Sequence, residues 1–195
     1  MLDHFGLLAP FYERFIPPPN PERWVRLLNL PVVGRLLDAG GGTGRVSGQL
    51  RPFVHHLVIA DESYKMLAEA QAKSVCCPVI SGVETLPFAA GSFDRVMVVD
   101  ALHHFASQRA AIADLARILK PGGRLVIEEP DLHKLSVKFV AVAEKVALMR
   151  SKFYYPEQIA AMAVALGLVV TVERDGRFAA WIIADKPADT QAEVR

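Results

Sequence analysis

The sequence predicts an α/β protein, a doubly wound and mainly parallel sheet of seven strands that ends in an antiparallel β-hairpin. Three observations carry that expectation. Short apolar runs alternate with stretches of helical periodicity, the pattern of crossover units in a parallel sheet. The first run ends in a turn with Gly40, Gly42 and Gly44 at alternate positions, after which a helical pattern resumes. The 195 residues, 52% apolar and 22% charged, suffice for one well-buried domain and would leave two cramped.

The elements follow in order. Residues 35–39 are the first strand, residues 43–50 a helix and residues 57–60 the second strand. Residues 63–73 form a helix with Met66, Leu67 and Ala70 at helical spacing, and residues 75–80 the third strand. Residues 93–99 read as strand four, and residues 108–119 as a helix with Ile112, Leu115, Ala116 and Leu119 on one face. Pro121, Gly122 and Gly123 force a turn into strand five, residues 124–128, which Pro130 stops. Residues 135–149 form a helix whose apolar residues, Phe139, Val140, Val142, Val146 and Leu148 among them, cover most of its circumference. Pro156 opens the last helix and Gly167 closes it. Residues 168–173 and 178–184, joined through Asp175 and Gly176, are the terminal hairpin.

Flanking pieces divide the chain further. Phe5, Leu7, Leu8, Phe11, Tyr12, Phe15 and Ile16 recur at helical spacing ahead of three consecutive prolines, so residues 1–30 are expected to form a helical lid or cap. Residues 31–186 form the main domain and residues 187–195 a frayed tail.

Charge and cysteine content narrow the function. A net charge of +1 and a pI near 7.8 offer no basic field for nucleic acid. Cys76 and Cys77 are adjacent inside an apolar run, as reduced buried thiols would be, and no third ligand at metal spacing joins them, so no metal site is expected. Residues 1–6 lack the basic start of a signal peptide, and no apolar stretch is long enough to span a bilayer, which points to a cytoplasmic protein.

The glycine turn points to a ligand, because glycine serves where a chain leaves a strand with positive φ or lies against a ligand without Cβ. The spacing is G-x-G-x-G; the pyrophosphate fingerprint G-x-G-x-x-G would need glycine where Arg45 stands. A nucleoside without pyrophosphate fits better. Asp61, at the end of the second apolar run and about 20 residues beyond the first glycine, stands where a carboxylate grips ribose hydroxyls.

Taken together, four stretches resemble the class I S-adenosylmethionine-dependent methyltransferases, especially the group that includes the ubiquinone/menaquinone C-methyltransferases. They are residues 38–44 (DAGGGTG), residues 59–67 (IADESYKML), residues 84–88 with 92–94 (ETLPF, SFD), and residues 119–125 (LKPGGRL). The resemblance implies the Rossmann-like methyltransferase fold, S-adenosylmethionine as cofactor and S-adenosylhomocysteine as product. It implies that Gly40 and Gly42, with Gly44 closing the turn, lie along the methionine end, that Asp38 orders its amino group or nearby water, and that Asp61 accepts both ribose hydroxyls. Glu62 and Met66 would approach the edge and face of adenine, Asp100 the methionine moiety through its backbone, and Tyr12 the cofactor carboxylate. On the adenine side the family commonly has an aspartate where this chain has Gly82, followed by Val83 and Glu84. The hydrogen bond from the adenine amino group then falls to Glu84, a backbone carbonyl or water, and weaker cofactor binding is implied.

Methyl transfer from a sulfonium is an in-line displacement, so positioning is the main task. If the acceptor has a proton to lose, His103 and His104 follow strand four at the edge where ligands of such sheets bind, and are the candidate bases; otherwise they brace the next helix. Tyr154, Tyr155, Glu128, Glu129 and His133 are further pocket candidates. Quinone-modifying relatives have Arg-Asn in place of His103-His104, which points away from a quinone. The apolar flanks suggest a small, substantially apolar acceptor. Two other classes remain open on sequence: a non-catalytic S-adenosylmethionine-binding module, and a nicotinamide-dependent oxidoreductase.

Overall fold

The computed structural model describes residues 20–73, 77–135, 137–138, 151–176 and 178–188. One seven-stranded sheet has the order β3-β2-β1-β4-β5-β7-β6, with β1 Val32–Ala39, β2 Val54–Asp61, β3 Cys77–Ile80, β4 Phe93–Val99, β5 Leu119–Pro130, β6 Val169–Arg174 and β7 Ala179–Asp185. The first five strands are parallel; β7 runs antiparallel to both β5 and β6. The helices are α1 Pro21–Leu27, α2 Tyr64–Ala72, α3 Gln108–Ile118 and α4 Pro156–Val164.

The chain winds outward from β1 to β3, then returns to place β4 against the other side of β1. Loops after β1 and β4 therefore leave in opposite directions, and a crevice opens between them at the carboxyl ends of the strands. Parallel strands are covered on both faces. On one face Leu37, Val58, Val96, Val98, Leu125, Ile127 and Ile182 pack with Ile112 and Leu115 of α3 and Ile159 and Met162 of α4. On the other Leu36, Leu57, Met97, Val126, Trp181 and Ile183 pack with Trp24 and Leu27 of α1 and with Leu50. Ile59 joins Leu67 and Ala70 of α2.

Local chemistry sets the ends. The Ser63 hydroxyl accepts from the Met66 N–H at 3.4 Å, and the Ser107 hydroxyl from the Ala110 N–H at 3.4 Å, capping α2 and α3. Pro156 opens α4, the Gln158 side chain reaches back to the Tyr155 N–H at 2.9 Å, and Gly167 at φ +82° closes the turn that follows.

Three expectations need correction. Residues 43–50 do not form an α-helix: a glycine turn leads into a 3-10 helix, Ser47–Phe53, because the turn residues adopt positive φ and Pro52 has no N–H for an α-helical ladder. The turn at Pro121, Gly122 and Gly123 lies inside β5, where the register with β4 shifts and Gly122 takes φ +74° while its N–H bonds the Lys186 carbonyl at 2.9 Å. Cys77 is exposed, since β3 is an edge strand; Cys76 lies outside the described residues. So do Tyr12 and the apolar positions expected at 5–16 and 139–148.

In the described part of the amino-terminal piece, Trp24, Leu27 and Leu28 belong to the core. Trp24 is 0% exposed, and the carbonyls of Leu27 and Leu28 accept from Arg124 at 3.1 Å and Arg95 at 2.6 Å. Arg23 lies over the Trp181 ring at 4.4 Å, and Arg26 forms a two-pronged pair with Glu173 at 2.9 and 2.7 Å. Trp24→Ala is expected to destabilise the protein by about 3–5 kcal/mol, the cost of emptying a buried indole site. A denaturant midpoint unchanged from the parent would show that α1 is a detachable cap.

Candidate cofactor site at the strand ends

The turn after β1 is bound to the end of β2. The Gly40 N–H donates to the Ala60 carbonyl at 2.7 Å, and the Gly42 N–H to Asp61 Oδ2 at 2.9 Å. The other oxygen, Oδ1, accepts from the Ser63 N–H at 2.8 Å, so one carboxylate joins the glycine turn to the start of α2. Gly40, Gly42 and Gly44 all adopt left-handed φ, +69°, +54° and +69°, which a side chain would strain. Space forbids one as well: a Cβ on Gly44 would come within 2.6 Å of Ile59, and one on Gly40 within 3.0 Å of Ala101 and Phe105. At Gly42 the nearest neighbours of such a Cβ are Met66 at 3.7 Å and Asp61 at 3.9 Å, which leaves a small hollow bounded by those two side chains.

Beneath the turn lies Asp38, 2% exposed. Among the described residues its Oδ1 is buried with no hydrogen-bond partner, and so is the Ser47 hydroxyl. Burial pushes the carboxyl up to about 7; the Asp61 charge adds to this, while Ser47 and Arg45 offset part of it. Across the crevice Asp100 leaves β4 at φ +51°, with its N–H bonded to the Glu128 carbonyl at 3.0 Å. Glu128, on β5, accepts from the Trp181 indole at 2.7 Å, and burial raises its carboxyl to about 7, with Asp100 adding.

Toward β3, the Ser81 N–H bonds the Asp61 carbonyl at 3.1 Å and brings Gly82 and the 3-10 turn Val83–Thr85 next to the end of β2. A Cβ on Gly82 would meet Glu62 Oε1 at 2.8 Å and Glu84 Oε2 at 3.3 Å; the two carboxylates converge on the space that glycine leaves. The other Glu84 oxygen accepts from the Ser107 N–H at 3.1 Å.

The histidines occupy different surroundings. His103 Nδ1 lies 2.8 Å from Glu129 Oε2, both side chains being 4% exposed, and Glu129 Oε1 accepts from the Leu102 N–H at 2.8 Å. Phe153 stacks on the His103 ring at 4.4 Å. His104 Nδ1 is 3.2 Å from the Ser151 hydroxyl, and burial, with His103 adding, lowers it to about 4. Among the described residues no group of three His, Cys, Asp or Glu side chains is disposed to hold a metal ion.

The structure thus gathers Asp38, the three turn glycines, Asp61, Met66 and Asp100 around one crevice, with Glu62, Gly82, Val83 and Glu84 at its β3 end. Sequence reasoning overlooked Arg45 and Phe105. The first was considered only as the glycine that fails to appear, and the second carries no polar group; its contact with Gly40 depends on the loop after β4.

Comparison with known proteins agrees with this geometry. Residues 37–127 match the methyltransferase domain family. A demethylmenaquinone methyltransferase of Mycolicibacterium vanbaalenii is 35% identical over 64% of this chain and 53% of its own. A malonyl-[acyl-carrier protein] O-methyltransferase of Erwinia pyrifoliae is 34% identical over 60% of this chain and 46% of its own. The chain spans about half the length of these curated relatives. Among solved structures, a SAM-dependent methyltransferase of Aquifex aeolicus superposes with a TM-score of 0.68 at 17% identity, covering 85% of this chain and 89% of that one. Among the described residues no helix is long and apolar enough to cross a membrane. The glycine turn, the strand order and these likenesses converge: residues 37–127 form a methyltransferase domain, similar to those of the class I S-adenosylmethionine-dependent enzymes.

Proposed function

We propose that the protein transfers a methyl group from S-adenosylmethionine to a small, substantially apolar acceptor by in-line displacement. The observation that carries this reading is Asp38, a buried carboxyl with an unpartnered oxygen at the strand-order reversal. A site walled by Asp38, Asp100 and Glu128 suits a ligand with positive charge at its ammonium and sulfonium and none of the phosphate of a dinucleotide. The cofactor, when bound, supplies a methyl carbon activated by the adjacent sulfonium.

The chain's own residues divide the work of holding it. Asp61, fixed by the Gly42 and Ser63 backbone N–H groups, is placed to accept from a ribose diol. Gly40, Gly42 and Gly44 give the backbone its close approach along the methionine arm, with Asp38 and Asp100 beside it. Met66 and Val83 flank the base, and Glu62, Gly82 and Glu84 border its edge. The relatives act, by name, on demethylmenaquinone and on malonyl-[acyl-carrier protein], two unlike acceptors, so the reading here stops at acceptor class.

Calorimetric titration of the ligand-free protein with S-adenosylmethionine, S-adenosylhomocysteine and NADH tests the reading. The first two are expected to bind at micromolar concentration, and binding of NADH alone would reject it. Asp61→Ala is expected to weaken S-adenosylhomocysteine by about 1.5–3 kcal/mol, roughly 10- to 150-fold, with unaltered circular dichroism. An unchanged dissociation constant would remove Asp61 from the site.

The raised carboxyls predict a pH dependence. Asp38 and Glu128 titrate near 7 in the folded chain, against ordinary values of 3.8 and 4.5. The folded state therefore binds more protons than the unfolded state between about pH 4 and 7. The stability these groups contribute is fully present below that window and is lost as pH rises through it. The melting temperature of the ligand-free protein is expected to fall from pH 5 to pH 8, and Asp38→Asn to flatten the fall. S-adenosylmethionine, whose positive charge favours the ionised carboxylates, should bind more weakly at pH 5 than at pH 8 and release protons on binding near neutrality. Titrations in two buffers of different ionisation heat measure that release directly; equal heats would contradict it.

A further inference from the structure

We propose that Glu128 is the base of the methyl transfer, taking the proton of a weakly acidic hydroxyl on the acceptor in place of His103 or His104. This rests on the methyltransferase reading above and adds to it a catalytic group and an acceptor chemistry.

Position is the first argument. Along β5 the side chains alternate, so Val126 and Glu128 share the face that carries Met97, Trp181 and α1, while Ile127 and Glu129 share the opposite one. Asp38 follows Leu36 by the same alternation on β1 and lies on the Glu128 face. Glu128 is thus the carboxyl that β5 brings to the end of the cofactor crevice, next to the Asp100 backbone. Glu129 turns away into the core and is consumed there by the Leu102 N–H and His103.

Orientation is the second. The Trp181 indole, in a side chain only 4% exposed, holds Glu128 Oε2 at 2.7 Å, and Oε1 accepts no hydrogen bond among the described residues. One oxygen is fixed and the other is left for a ligand, the arrangement of a base held by an orienting group. The charges that face it come from every side: Asp100 from β4, Arg45 from the glycine turn, and Arg23 from α1, which lies over the Trp181 ring at 4.4 Å. Burial and Asp100 outweigh the two arginines and bring the carboxyl to about 7, the range in which a base is both ionised and willing to take a proton at neutral pH. His104, lowered to about 4, is neutral at that pH and a poor proton acceptor.

The step balances simply. A lone pair on the acceptor oxygen forms the bond to the methyl carbon. The carbon–sulfur bond breaks with its electron pair left on sulfur, and the hydroxyl proton passes to Glu128 Oε1. The cofactor loses its positive charge and Glu128 its negative one, so the crevice ends the step with its charges paired off.

The test uses the full chain, labelled S-adenosylmethionine and two probe acceptors, phenol and 4-nitrophenol, near pH 8. Phenol keeps its proton there, with a pKa of about 10; 4-nitrophenol is largely ionised and has none to give. Glu128→Gln is expected to slow methylation of phenol by about 10²- to 10⁴-fold and that of 4-nitrophenol by less than about 10-fold. Glu128→Asp should restore part of the phenol rate, and the wild-type rise of kcat/KM toward neutral pH should vanish in the glutamine variant. An equal loss on both phenols would make Glu128 structural and overturn the proposal. So would wild-type protein that binds S-adenosylhomocysteine in the calorimeter yet methylates neither phenol. Failure to bind S-adenosylhomocysteine is a different result, and rejects the methyltransferase reading itself.

Discussion

The site depends on the two hydrogen bonds that Asp61 accepts from the Gly42 and Ser63 backbones. A glycine turn has little conformational preference of its own, and three left-handed glycines at alternate positions cost more backbone entropy than the turn's internal Gly44-to-Gly41 bond returns. The Asp61 carboxylate supplies the missing restraint from outside. Because the same group also caps the approach to α2, the turn, the strand end and the helix are positioned relative to one another by one side chain. Charge-assisted bonds of this kind are roughly twice as strong as neutral ones, and they hold without a ligand. The turn is therefore largely formed in advance, and a ligand bound against it would have little ordering left to accomplish at this point.

Around that fixed turn the charge is uneven. Asp38, Asp61, Asp100 and Glu128 come together at the ends of four neighbouring strands, with Arg45 the cation of the turn itself. Burial, and to a lesser degree this crowding of like charge, raises the free energy of the ionised state, and the ligand-free protein answers by holding protons on Asp38 and Glu128 up to about pH 7. A cationic ligand offers the same relief without the protons. This links recognition to chemistry: once the methyl group has left, the positive charge has left the cofactor too, and the carboxylates no longer favour what remains.

Much of this was legible in the sequence because it rests on patterns of short range. Alternating apolar runs located the seven described strands, Ser63, Ser107 and Pro156 marked helix starts, and Gly40, Gly42, Gly44 and Asp61 marked the turn at the strand ends. What stayed hidden depends on contacts between distant segments. The expected helix at 43–50 had the apolar spacing, but the turn's geometry and Pro52 outweigh it. The bulge inside β5 exists because Gly122 and Lys186 pair across the sheet, which no local window contains. Trp24, read as part of a cap, is core because β4 and β5 present arginines to the end of its helix.

Glu128 and Glu129 show why the residue list was easier to read than the roles. Adjacent and chemically identical, they are separated by the one property a pleated strand imposes, that successive side chains point to opposite faces. On one face Glu129 is fully engaged, locking His103 and the Leu102 backbone to β5, so that the turn carrying Asp100 and Phe105 stays pressed against Gly40. On the other, Glu128 is held at a single oxygen and is only half-buried. Burying and saturating the first carboxylate makes it a brace; leaving the second half satisfied in a charged crevice makes it reactive. A one-residue shift in the register of β5 would exchange their environments, and the parallel pairing with β4 and antiparallel pairing with β7 together prevent it. The division between structural and chemical carboxylate is thus fixed by sheet register, a property of the whole fold.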